Sequence, residues 1–168
     1  MDADMLRFRQ KQVLYDVKWK KFLRRAWLLR YVPFAEFALA SGSMATGNVQ
    51  ATSDFDVLIG ARQGRIFTTR FFAALAFGCF GWRRSRLDRH EAAADKVCLN
   101  HFVTREAYCL QPPYSIAWRA MYASLVPVFG KPEAVNAFWN ANSGWMGETV
   151  RYAEDSRHIG EYASVIGR

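Results

Sequence analysis

Asp54 and Asp56 are one residue apart, and Gly42-Ser43 ends eleven positions upstream of Asp54. On an extended chain, side chains two apart point to the same side, so the two carboxylates can share a divalent cation. Carboxylates aimed at one spot repel each other unless a cation lies between them. A Gly-Ser turn brings backbone N–H groups and a hydroxyl close to a phosphate. A helix starting near Met44-Ala45 would add its positive end. Ser53 caps or orients Asp54 on this reading. The chemistry implied is cation-assisted work on a phosphate group.

The elements that must hold these groups can be read from the pattern. Phe34 to Ala40 reads as a first strand running into the Gly-Ser turn, with a short helix over Met44 to Asn48. Ser53 to Gly60 reads as a second strand, with Asp54, Asp56 and Leu58 on one face and Phe55, Val57 and Ile59 entering the core. Arg65 to Phe80 reads as a helix that stops near Gly78 and Gly81. The apolar stretch Phe71 to Trp82 is too short to span a membrane, which takes about 20 residues, and reads as a buried helix. Trp82 to Asp95 is polar and basic and reads as a surface loop; Lys96 to Val103 reads as a third strand. After Pro112-Pro113 come helices over Tyr114 to Leu125 and Glu133 to Asn142, split by the segment Val126 to Pro132. The last twenty or so residues read as helical or frayed.

Gly42, Ser43, Gly47, Ser53, Asp54 and Asp56, followed by apolar residues, form a pattern that resembles the polymerase-beta-type nucleotidyltransferase superfamily. More narrowly it is similar to the small minimal nucleotidyltransferases of bacteria and archaea. Thr46 departs from the pattern, since relatives often carry Arg there. The resemblance covers about Tyr31 to Val103. It implies an α+β (α/β) nucleotidyltransferase fold: a small mixed β-sheet with helices packed on it and a helical C-terminal extension. It further implies transfer of an NMP, AMP first, from an NTP to an acceptor hydroxyl on a protein, an RNA or a small molecule. Mg2+ is the expected cofactor, held by Asp54 and Asp56, with Gly42 and Ser43 on the phosphates. A partner subunit is one expected acceptor, because the chain is short.

Members that use two metals carry another Asp on a neighbouring strand. The candidate third strand offers Asn100, a carbonyl ligand but no base; Asp95 and Glu91 are the nearby carboxylates. His101 would point to the face opposite Asn100 on a regular strand, and reads more readily as a satisfied core or edge residue. Arg65 is the first choice of basic residue for the triphosphate, ahead of Arg70 and Lys96. The missing third carboxylate and the basic charge keep a second reading open: a catalytically degenerate nucleotide- or RNA-binding protein on the same fold.

The chain has 168 residues, 51% hydrophobic and 15% aromatic, enough for an ordered core and against disorder. Its formal net charge of +8 suits polyanionic partners or a plain solvated surface. Met5 to Arg30 reads as one long basic helix, interleaved with Tyr15, Trp19, Phe22 and Trp27. It would either face RNA or a membrane surface, or pack on the domain; packing is favoured. The organisation expected is residues 1–30 as this helix, 31–110 as the core and 111–168 as the extension, in one compact unit. Cys79, Cys98 and Cys109 show no Cys-x-x-Cys spacing and read as reduced, buried core residues. With no secretory leader or transmembrane segment read, a cytoplasmic location is expected.

Overall fold

The structure is a computed structural model, and it describes residues 3–85 and 93–147. Helix α1 (Ala3–Ala26) runs into a 3-10 turn (Trp27–Tyr31) and then strand β1 (Ala35–Ala40). The short helix α2 (Gly42–Thr46) leads to β2 (Phe55–Ala61), helix α3 (Ile66–Cys79) and β3 (Val97–Thr104). After a 3-10 turn (Arg105–Ala107) come α4 (Ile116–Ala123), β4 (Val126–Gly130) and α5 (Pro132–Met146). The fold is mixed α+β, with a four-stranded sheet in the order β3-β2-β1-β4. β2 and β3 are parallel, while β1 is antiparallel to both β2 and β4.

Strand β4 was not expected. Pro127 sits inside it, and an interior proline argues against a strand unless that strand lies at an edge, where the missing N–H costs no ladder bond. β4 is the edge beside β1. The segment read as a helical extension from residue 111 therefore supplies part of the sheet.

Both sheet faces are covered, which explains why β1 and β2 read as nearly continuous apolar runs. Ala38, Ala40, Phe55, Val57 and Ile59 pack with Trp19, Phe22 and Leu29 from α1 and the turn after it, and with Phe77 of α3. Phe37, Leu39 and Leu58 pack on the other side with Tyr122, Val135, Phe138 and Trp145. Period-two alternation thus sorts each strand between two cores. The rings of Trp19, Phe22 and Phe55 follow one another at centroid separations of 5.7 and 5.2 Å and tie α1 to β2. Burying Phe22 completely contributes about 1.5–3 kcal/mol. On the other face, Asn142 is buried with every polar bond made. Its amide donates to the carbonyls of Tyr108 and Phe138, and its Oδ1 accepts from Leu110 N and Trp145 Nε1.

α1 packs only over its C-terminal half. Lys18 and Trp19 are buried, whereas Phe8 and Val13 are 70% and 62% exposed. The basic residues divide in the same way: Lys18, Lys21 and Arg25 bond within the protein, and Arg7, Arg9 and Lys11 face outward. Helix α3 departs from the expected buried helix. Thr69, Ala73 and Phe77 are buried, but Phe67 is 84% exposed and Phe71 and Leu75 are also open. Among the described residues, no helix is long and apolar enough to cross a membrane.

Candidate active site

β1 ends at Ala40, and the chain turns through Ser41 into α2. Ser41 N donates to Asp56 O at 2.9 Å, which locks this turn against the start of β2. Gly42 sits in the turn with φ of 60°, a conformation glycine adopts without cost. A Cβ at Gly42 would also collide with Asp56 Oδ2. The glycine therefore does two things: it makes the turn, and it leaves room for the Asp56 carboxylate directly against the backbone. Thr46 Oγ1 donates to Gly42 O at 3.1 Å, closing the helical turn.

The approach to β2 is held from behind. Lys18 Nζ donates to the carbonyls of Ala51 at 2.6 Å and Ser53 at 2.8 Å. It also ion-pairs with Asp95 Oδ1 at 2.7 Å. Lys21 binds the other Asp95 oxygen, and Arg25 donates to the Asp95 backbone carbonyl. Asp95 N in turn donates to Ser53 O at 3.1 Å. Ser53 Oγ accepts from Gln50 N at 2.9 Å, so its side chain closes the turn that delivers Asp54. Burial alone would raise the Asp95 carboxyl, but the hydrogen bonds from Lys18 and Lys21 outweigh it and hold that carboxyl below its ordinary range.

Asp54 and Asp56 are both partly buried, and β3 brings Cys98 opposite Asp56. One donor atom from each of Asp54, Asp56 and Cys98 lies within 4.8 Å of the others. The electrostatics are those of a site short of positive charge. Burial, and then the charge of Asp54, raise the Asp56 carboxyl above its usual value; a hydrogen bond from Cys98 and the charge of Arg84 partly offset this. Burial and the neighbouring carboxylates push the Cys98 thiol up to about 11. Arg84 Nη1 ion-pairs with Asp54 Oδ2 at 2.5 Å. The donor set fits a divalent cation: two carboxylates and a thiol converge, and one of the carboxylates already recruits a cationic side chain.

Arg84 lies in the polar, basic segment whose composition suggests a surface loop. In the fold, Val97 N donates to Trp82 O and Arg84 N donates to Val97 O, which lays residues 82–84 along the start of β3. That bridge is non-local and leaves no local signal. β3 also carries an irregularity. Asp56 pairs with Cys98 but Leu58 pairs with His101, so β3 has an extra residue where β2 has none. Cys98 and His101 consequently share the Asp56 face, which an unbroken alternation forbids. Asn100 lies in this irregularity, and its side chain is outside the described residues, as is Glu91.

Asp56, Ser41 and Gly42 open onto a cleft of about 330 Å³ whose other walls include His101, Trp118 and Met121. Ser115 Oγ caps α4 by accepting from Trp118 N, which fixes Trp118 in the first turn. His101 Nε2 lies 3.3 Å from the Tyr122 hydroxyl, and burial lowers the imidazole's pKa from its ordinary value. Tyr122, buried beside it, has its hydroxyl pushed up to about 12.

The expected site residues are thus distributed unevenly. Gly42 and Asp56 meet in the cleft, with Asp54 beside Asp56. Ser43 is in the first turn of α2, partly exposed. Ser53 acts on the turn behind Asp54. Arg65 is not brought to them: it follows the far end of β2 and its guanidinium lies 5.1 Å from the Phe34 ring centroid. Arg70 lies over Phe102. Asp95 is consumed by the lysines and is not a third carboxylate for the pair. The expectation of buried cysteines also fails, since Cys79 and Cys109 are exposed and Cys98 is half-buried at the site. Compared with protein-family models, curated proteins and solved structures, the chain matches none.

Proposed function

We propose that this chain is a divalent-cation-dependent nucleotidyltransferase, moving an NMP from a nucleoside triphosphate to an acceptor hydroxyl. The observation that carries the reading is the convergence of Asp54 and Asp56 beside a Gly42 turn that tolerates no side chain, at the mouth of a cleft. Asp54 and Asp56 would hold the cation, Mg2+ being the ordinary partner of a triphosphate. Bound there, the cation would neutralise phosphate charge and polarise the reacting phosphorus. Gly42 and Ser43 offer first-turn N–H groups and a hydroxyl to the phosphates, and Ser41 makes no side-chain cap that would occupy those N–H groups.

In the transfer, the acceptor oxygen bonds to the α-phosphorus and the bond from that phosphorus to the bridging oxygen breaks, releasing pyrophosphate. The apolar wall of Trp118 and Met121 suits a planar base or acceptor, and the cleft volume lies in the range of small-molecule sites. His101, which lines the cleft, is the candidate to take the acceptor proton. Arg84, already at Asp54, is placed to share triphosphate charge. Its position replaces Arg65 in this role.

A second reading, a nucleotide- or RNA-binding protein without transfer activity, is favoured by one observation: among the described residues no third carboxylate joins the pair. Incubation with Mg2+ or Mn2+, each labelled NTP and a cell lysate, comparing wild type with Asp56→Asn, separates the two. Label moved to a discrete protein or RNA band and lost in the variant supports transfer. Saturable nucleotide binding without transfer supports the binder. Neither transfer nor binding overturns both.

A further inference from the structure

In this protein β3 presents a thiol to the two aspartates. Cys98 is the register partner of Asp56 across the parallel β2–β3 pair, and its Sγ lies within 4.8 Å of a carboxylate oxygen of both Asp54 and Asp56. The pairing of β2 with β3 thus sets the sulfur and the two carboxylates around one point. We propose that the site takes a borderline-soft divalent cation of the zinc or cobalt class, with Cys98 Sγ as the third protein ligand beside Asp54 and Asp56. This rests on the reading of the two aspartates as cation ligands.

The chemistry of the donors decides the class of ion. Magnesium seeks oxygen ligands in near-ideal octahedral geometry and gains nothing from sulfur. At Asp54 and Asp56 it would leave Cys98 idle. Zinc and cobalt accept thiolate together with carboxylate, and three protein ligands with one open position is the arrangement that catalytic zinc sites use. The open position would face the cleft, because Asp56 lines it. Charge also balances. On binding, the thiol proton passes to solvent, giving two carboxylates and a thiolate. The ion's two charges and that of Arg84, which holds Asp54 Oδ2, neutralise the three. Gly42 leaves room for the Asp56 carboxylate, which a Cβ there would displace.

The test is a Co2+ titration of the full chain, following the sulfur-to-cobalt charge-transfer absorption in the near ultraviolet and, separately, bound cobalt by equilibrium dialysis. Wild type is compared with Cys98→Ser, Cys98→Asp and Asp56→Asn, with folding checked by circular dichroism. The exposed Cys79 and Cys109 remain in every variant and so act as internal controls. The expected result is one tightly bound cobalt with a thiolate band in wild type. Cys98→Ser should lose the band and weaken Co2+ and Zn2+ at least about tenfold, with Mg2+ affinity unchanged. Cys98→Asp should bind without the band and shift the preference toward Mg2+. Cobalt bound with unchanged affinity and no Cys98-dependent band, but lost in Asp56→Asn, would overturn the role of Cys98 and leave the aspartate site standing. Cation binding indifferent to both Asp56→Asn and Cys98→Ser would overturn the site itself.

Discussion

Replacing Lys18 by Met tests whether the α1 lysine builds the site it never touches. The side chain is 5% exposed, its ammonium donates to the carbonyls of Ala51 and Ser53, and it pairs with Asp95 at 2.7 Å. Methionine keeps the apolar stem and a similar volume, so a cavity contributes little. Losing one partner of a buried ion pair costs about 3–5 kcal/mol. Two features reduce that figure: Asp95 keeps Lys21, and its side chain is 18% exposed. Removing the desolvated ammonium itself also returns some free energy. The expected loss is therefore about 2–3 kcal/mol, at or below the lower end of that range. For a chain of this length the melting temperature should fall by about 5–10 °C. Thermal unfolding by circular dichroism measures it. The Gln50–Ser53 turn also loses two of its anchors, so cation affinity at Asp54 and Asp56 should fall in the folded variant. Combining Lys18→Met with Asp95→Asn should cost less than the sum of the single changes, since the two residues share the interaction. A melting temperature within about 2 °C of wild type, with cation affinity unchanged, would refute the reasoning.

Gly42→Ala should reduce cation affinity at least about tenfold, because the new methyl group displaces Asp56; the positive φ adds about 1–3 kcal/mol of strain. Calorimetric cation titration together with a thermal melt reads both effects, and wild-type affinity would mean that Asp56 does not ligate from this position. Arg84→Gln should tighten cation binding about fivefold, by freeing Asp54 from its ion pair, while weakening nucleotide binding. Parallel titrations check it; affinities moving together would deny Arg84 its double role. The Asp95 carboxyl is depressed in the fold, so the stability it contributes is present above its unfolded pKa of about 3.9 and is lost as pH falls through the folded value. Denaturant unfolding of wild type and Asp95→Asn should therefore converge in stability as pH drops below about 4; a difference that persists through that window contradicts the assignment.

The comparison of sequence and fold turns on range. Alternation placed β1, β2 and β3 to within a few residues, because burial on a pleated strand imposes a period of two. The same alternation put Phe55, Val57 and Ile59 in a core, although it did not show that Leu58 enters a second one. β4 was hidden by Pro127, whose tolerance depends on lying at a sheet edge, a fact of topology. α3 read as buried because hydropathy cannot tell which neighbours a helix will meet, and among the described residues Phe67, Phe71 and Leu75 stay exposed.

At the site, local chemistry was legible and assembly was not. Gly42, Asp54 and Asp56 belong to one β1–turn–β2 unit, so short-range spacing by itself determined that a glycine turn and two carboxylates would lie together. Only the tertiary structure decided what surrounds them. Arg84 arrives through a bridge to β3, Lys18 from a helix over 30 residues earlier in the chain, and Trp118 from a helix more than 60 residues later. Cys98 and His101 reach the same face because β3 gains an extra residue against β2. Such an irregularity is set by the pairing of two strands, and no spacing within one strand encodes it.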